Sequence, residues 1–222
     1  MASIRKHLPR VPRHTQRRGD HRRERLLRAA GELIEKHPLP GLTYAGVCRR
    51  ARVPVGSAHH FYPDLDAIFR ALLEKHQADK NRLLFKPIPL RHRHSWQQVV
   101  ACLIDRAVRY HRAHPVVAKI ALGGHTPPHI RLWVRDADRA RAGLSLHLLG
   151  ELFIVPRAAD EERAAFLATE IVDTALTLSM LEAGRISATY VRLAKAAAIG
   201  FLSMRFGAEL PIRRGAVEVG GA

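Results

Sequence analysis

The side chains here most able to do chemistry are fourteen histidines and a dense set of arginines. His59 and His60 adjoin within VPVGSAHHFYPDLDAI, and the basic run CRRAR, Cys48 to Arg52, stands just before it. His92 and His94 form an HxH, and His111 and His114 lie at i, i+3. Imidazole can ligate a metal, move a proton or donate a hydrogen bond to a phosphate. The HxH and i, i+3 pairs lack a neighbouring cysteine or a carboxylate at ligand spacing, and many zinc sites use thiolates. Cys48 and Cys102 are isolated, so there is no CxxC site and no disulfide framework, which fits a reducing cytoplasm. No GxSxG, HExxH or Walker A pattern is present, and no spacing marks a Ser/His/Asp triad. The expectation is therefore no catalytic residue, no metal and no cofactor. A metal-sensing regulator stays as an alternative.

Charge points more clearly. The chain of 222 residues carries a net charge of +17, and its first 25 residues hold nine Lys/Arg against two Asp/Glu. Such a balance suits a polyanion, either nucleic acid or an anionic membrane surface. No run of ~18 apolar residues suggests a membrane span. The N-terminus lacks the apolar core of a secretory signal. A cytoplasmic, membrane-free protein is expected.

These residues need elements to position them, and nearly every periodic segment has helical spacing. From Asp20 to His37, Leu26, Leu27, Ala30, Leu33 and Ile34 mark one helical face, and Pro38, Pro40 and Gly41 stop it. Thr43 is placed to cap a short helix, about Tyr44–Arg50. Pro54 suits the first turn of a third helix, about Pro54–Phe61. Tyr62-Pro63-Asp64 then ends that helix and caps a fourth, with Ile68, Phe69, Leu72 and Leu73 on its apolar side. Phe85–His94 has two prolines and no period, and reads as a linker. Further helices follow at about Ser95–Ala113, Pro115–Leu122, Pro128–Phe153, Asp160–Ala183 and Ser187–Phe206. Gly184 and Gly207 suit C-terminal caps, and the tail after Pro211 is expected to fray. The class is all-α with about nine helices. A basic arm spans 1–19, a three-helix helix-turn-helix region 20–81, a larger helical region 82–210 and a tail 211–222.

Two short helices around a tight turn, preceded by a longer one, make a helix-turn-helix unit. Its second short helix would enter the major groove of double-stranded DNA, ~12 Å wide. Pro54, Val55, Gly56 and Ser57 begin it, small enough for close approach. Arg49, Arg50 and Arg52 could reach phosphates, and the N-terminal arm the adjacent backbone or minor groove.

The stretch Arg23–His76 resembles the DNA-binding domain of the TetR family of transcriptional repressors. The carriers are LLRAAGELIEKHPLPG, then LTYAGVCRRA, then RVPVGSAHHFYPDLDAIFRALL. The resemblance places Thr43, Tyr44, Arg49, Pro54, Val55, Gly56, Ser57, His59 and His60 at the DNA. Arg52 stands where the family usually has glycine, in a turn that often needs a left-handed backbone, at ~1 kcal/mol for a side chain. His59 stands where tyrosine is usual, and Leu65 where lysine often touches the DNA backbone.

The resemblance also implies a homodimer and a small-molecule effector. The last two helices are apolar on more than one face, as burial on two sides requires. Leu176, Ala197 and Phe201 are candidate dimer-interface residues. Leu103, Tyr110, Trp133 and Met180 are candidate ligand-lining residues. The reading is a repressor of a palindromic operator, released by an effector. A non-specific DNA-binding protein is a further alternative.

Overall fold

The computed structural model describes residues 13–156 and 160–214. The arm before Arg13 and the tail beyond Arg214 lie outside them. The described residues form nine α-helices and no strand, only an isolated bridge between Phe153 and Ile212. The helices are α1 (Arg13–Lys36), α2 (Tyr44–Ala51), α3 (Val55–His59), α4 (Leu65–Leu84), α5 (Trp96–Ala113), α6 (Pro115–Leu122), α7 (Pro128–Leu152), α8 (Glu161–Ala183) and α9 (Ala188–Phe206). Two compact units divide within α4, between Ala71 and Leu72.

In the first unit, α1 buries Leu26, Ala29, Ala30 and Ile34. It begins seven residues before Asp20, so part of the expected arm is helical. Polar and arginine-rich residues continue a helix readily but leave no apolar period to reveal it. The Thr43 hydroxyl accepts from Gly46 N–H at 3.1 Å and starts α2, as its type predicts. Pro54 precedes α3 as an extended cap residue instead of occupying its first turn, and α3 ends at His59, two residues earlier than expected. Asp64 Oδ1 accepts from Ala67 N–H at 2.7 Å and starts α4.

The second unit is a helical bundle in which α8 packs chiefly against α9 and α7. Ser95 and Ser187 cap α5 and α9 through their hydroxyls. Gly184 and Gly207 end α8 and α9 with positive φ, where glycine is free of a Cβ penalty. The core gathers Trp96, Val99, Leu149, Phe153, Leu176 and Leu202, among others.

Two expectations are corrected here. The linker expected at Phe85–His94 is held down at its start: buried Arg106 donates to the carbonyls of Leu84 (2.7 Å), Lys86 (2.6 Å) and Pro87 (2.9 Å), and Ile88 is buried. Prolines leave carbonyls without a regular partner, and one guanidinium supplies three bonds. The start of the tail does not fray either. Ile154 N–H donates to Pro211 O at 2.8 Å, and Arg213 N–H to Leu152 O at 2.9 Å.

α8 is long and apolar enough to cross a bilayer, with a mean hydropathy of 1.4 over its best 18 residues. Yet it carries Glu170 and Asp173, and packs chiefly against α9, α7 and α6. That is a bundle helix with one side covered and apolar residues exposed on the other.

Candidate nucleic-acid interface and bundle cavity

The turn between α2 and α3 rests on Arg52, whose φ of 52° and ψ of 43° are left-handed. Among the described residues it is the one non-glycine with positive φ. The family's usual glycine avoids the strain that Arg52 accepts. Arg25 on α1 offsets it: its guanidinium donates to Ala51 O at 3.0 Å and to Arg52 O at 2.8 Å. These are the carbonyls a helix C-terminus leaves unpaired. Arg25 carries no signal in the sequence, because one arginine among many on a polar helix face is indistinguishable from its neighbours.

His59 ends α3 stacked on Tyr44, with ring centroids 4.7 Å apart. Its Nδ1 lies 2.9 Å from Pro63 O. A carbonyl oxygen only accepts, so Nδ1 carries the proton. In the neutral ring Nε2 is then a lone pair, and only the imidazolium offers a donor there. Tyr44 donates its hydroxyl to Tyr62 O at 2.6 Å. Burial, then Cys48, pushes that phenol up to about 12, so it stays a donor. Tyr44 therefore supports His59 with its ring while its hydroxyl is used inside the fold.

The residues expected at DNA divide by burial. Thr43, Arg49, Pro54, Gly56, His59 and His60 are exposed, and Val55 is 43% exposed although apolar. Ser57 and Tyr44 are partly buried. Ala58 is fully buried and anchors α3. Arg50 pairs with Glu32 on α1, its Nε 2.8 Å from Oε2, which occupies part of its guanidinium. A Cβ added at Gly56 would meet nothing within 4 Å. The exposed side of α3 is thus small and low, flanked by cations, a shape that can approach a polyanion closely.

The second unit holds an open-sided cavity of about 110 Å³ between α4, α5, α7, α8 and α9. Leu103, Ile104, Leu149, Val172, Leu202 and Phe206 give it an apolar wall. Lys80, Asp138, Arg141 and Asp173 give it a charged end. Asp138 and Arg141, at i and i+3 on α7, form a buried ion pair. Arg141 Nη1 has no hydrogen-bond partner. Burial, then the Asp138 carboxylate, pushes Asp173 up to about 8, against the pull of Lys80 and Arg141. Burial, then Arg141, lowers Lys80. Burial, then Lys80, holds His111 well below the imidazole range, so it is neutral. The sequence gives little sign of this cluster, because α7 carries charges all round and its inward side cannot be read from periodicity.

Of the four expected ligand-lining residues, only Leu103 reaches this cavity. Tyr110 and Trp133 line a smaller cleft. The Tyr110 hydroxyl is occupied, donating to His76 O at 2.9 Å and lying 3.1 Å from His76 Nδ1. Met180 lines a separate hollow beside His111 and Arg185. Of the three candidate interface residues, Ala197 is exposed and Phe201 partly buried against the core. Leu176 is 0% exposed and has no surface for a partner, because it sits on the inward stripe Ala168, Val172, Leu176 of α8. The outward side instead carries Leu167, Leu178 and Leu181, beside exposed Leu193 and Met204 of α9. Among the described residues no group of three His, Cys, Asp or Glu could hold a metal ion.

A family profile described as tetracyclin repressor-like, C-terminal domain, matches residues 94–206. No curated protein matches the chain. Among solved structures, a TetR-family transcriptional regulator from Streptomyces coelicolor is 18% identical with a TM-score of 0.61. The match covers 83% of this chain and 99% of that one. A TetR transcriptional regulator from Rhodococcus sp. RHA1 is 20% identical with a TM-score of 0.60, covering 85% of this chain and 97% of that one. The structures establish a shared fold and the profile a shared lineage: the chain belongs to the TetR family of tetracycline-repressor-like transcriptional regulators.

Proposed function

We propose that the chain is a cytoplasmic, non-enzymatic repressor that binds a palindromic operator as a homodimer and is released by a small-molecule effector. Residues 20–81 read the DNA, 82–210 bind effector and partner, and the 1–19 arm adds backbone contacts. The observation that carries the reading is the exposed, low surface of Pro54, Val55 and Gly56, with Arg49 and His59 also exposed and Ala58 buried. Base edges are read by the N-terminal residues of such a helix, while cations beside it fix its register on phosphates. A twofold dimer sets two of these helices about one DNA turn, ~34–36 Å, apart.

The exposed leucines of α8 and the small, apolar outward side of α9 are the surface for the second copy. The cavity is the effector site. An effector can act only by binding one dimer geometry better than the other. α4 contributes Ile68 and Phe69 to the first unit's core and Lys80 and Leu84 to the cavity wall, which makes it the element to transmit the change. Nuclease protection on the DNA upstream of the gene tests the reading. It predicts one protected palindrome, and equal binding to every fragment would refute it.

A further inference from the structure

Arg141 is 5% exposed, lies on the cavity wall and leaves Nη1 without an acceptor while its Nη2 bonds Asp138. A buried guanidinium N–H left unpaired is costly, so the position is suited to an arriving acceptor. From this vacancy and the apolar remainder of the cavity we propose that the effector is a small monocarboxylate with an apolar body, its carboxylate held by Arg141 and Lys80. The proposal rests on the effector reading of the second unit and gives that effector a chemical class.

Charge and size favour this class. Lys80 from α4, Asp138 and Arg141 from α7 and Asp173 from α8 face one another at the charged end, with neutral His111 of α5 beside them. Asp173 is pushed up to about 8 and shares a hydrogen bond with Asp138, so near neutral pH it is mostly a neutral acid. One carboxylate, Asp138, then faces two cationic side chains. Burial first, and then the neighbouring Arg141, lowers Lys80, and an anion placed beside it would oppose that shift. One added negative charge balances the site, whereas a cation is repelled and a phosphate dianion overshoots. The whole cavity, about 110 Å³ with its charged end included, is smaller than the ~150 Å³ that holds a benzene ring, so the body is at most a single ring or a short acyl chain.

The test titrates the full chain calorimetrically at pH 7 with straight-chain carboxylates from butanoate to decanoate, benzoate and phenylacetate. Each is set beside its neutral alcohol or amide. At least one carboxylate is expected to bind, tenfold or more tighter than its neutral match. Lys80→Met, and separately the paired Asp138→Asn with Arg141→Gln, should remove that preference. Lys80→Met decides the matter if the double variant does not fold. Affinity should fall as pH rises through about 8, where Asp173 ionises, and Asp173→Asn should abolish that fall. No binding across the set, or equal binding of neutral matches, overturns the proposal. Neutral compounds that release DNA while carboxylates do not also overturn it, and leave the effector reading standing. Carboxylates that bind with the stated preference yet leave DNA affinity unchanged bear out the ligand class and overturn the effector reading.

Discussion

His59 shows how a single hydrogen bond can change what a residue is able to do. With Nδ1 committed to Pro63 O, the neutral ring has no proton to give a phosphate, and the imidazolium has one at Nε2. His59→Phe keeps the stack on Tyr44 but removes Nε2, the ring nitrogen left to face DNA, so it should weaken DNA binding. Fluorescence anisotropy at fixed salt and pH measures the difference, and equal affinity of the two proteins would remove His59 from the interface. Asp173 predicts a pH-dependent stability. Its folded value, about 8, lies above the ordinary 3.8, so the folded state holds a proton the unfolded state has lost. The associated stability is full below about pH 4 and is lost as pH rises towards 8. Asp173→Asn does not titrate, so its melting temperature should gain on the native chain by about 4 °C or more between pH 5 and 8. The sequence offered the histidine pair for inspection but not this acid, because desolvation belongs to the packed fold and not to the residue.

At the scale of elements, stops and caps were the legible part. Thr43, Ser95, Ser187, Gly184 and Gly207 all sit where their backbone preferences place them. What escaped was longer-range. The start of α1 has no apolar period, and residues 84–88 are fastened by an arginine some twenty positions away. Arg52 is a case where departure from the family was visible and its cost now has a geometry. Arg52→Gly should raise stability by about 1 kcal/mol, and Arg25→Ala, which frees the Ala51 and Arg52 carbonyls, should lower it by about 2 kcal/mol. Urea unfolding checks both, and unchanged midpoints would mean the turn is neither strained nor clamped.

At the scale of the whole molecule, the all-helical class followed from periodicity, whereas the surface proposed for a second copy did not. Leu176 and the exposed leucines share one apolar helix, and only packing tells which side faces inward. Leu193 and Met204, the latter 76% exposed, can take glutamate without entering the core. Leu193→Glu with Met204→Glu should leave helicity intact, sediment as a monomer and weaken DNA binding about 100-fold as the two half-sites uncouple. The central claim, that α3 reads DNA bases, is tested most directly by Gly56→Leu. Open space surrounds Gly56 in the free protein, and a helical glycine costs ~0.5–1 kcal/mol, so the variant should be as stable as the native chain or more so. The decisive measurement is the ratio of affinities for the protected palindrome and a scrambled duplex at one salt concentration. The account predicts a ratio of about 1,000 or more for the native chain and a loss of at least tenfold in that ratio for Gly56→Leu. A variant that folds and keeps the native ratio would contradict it.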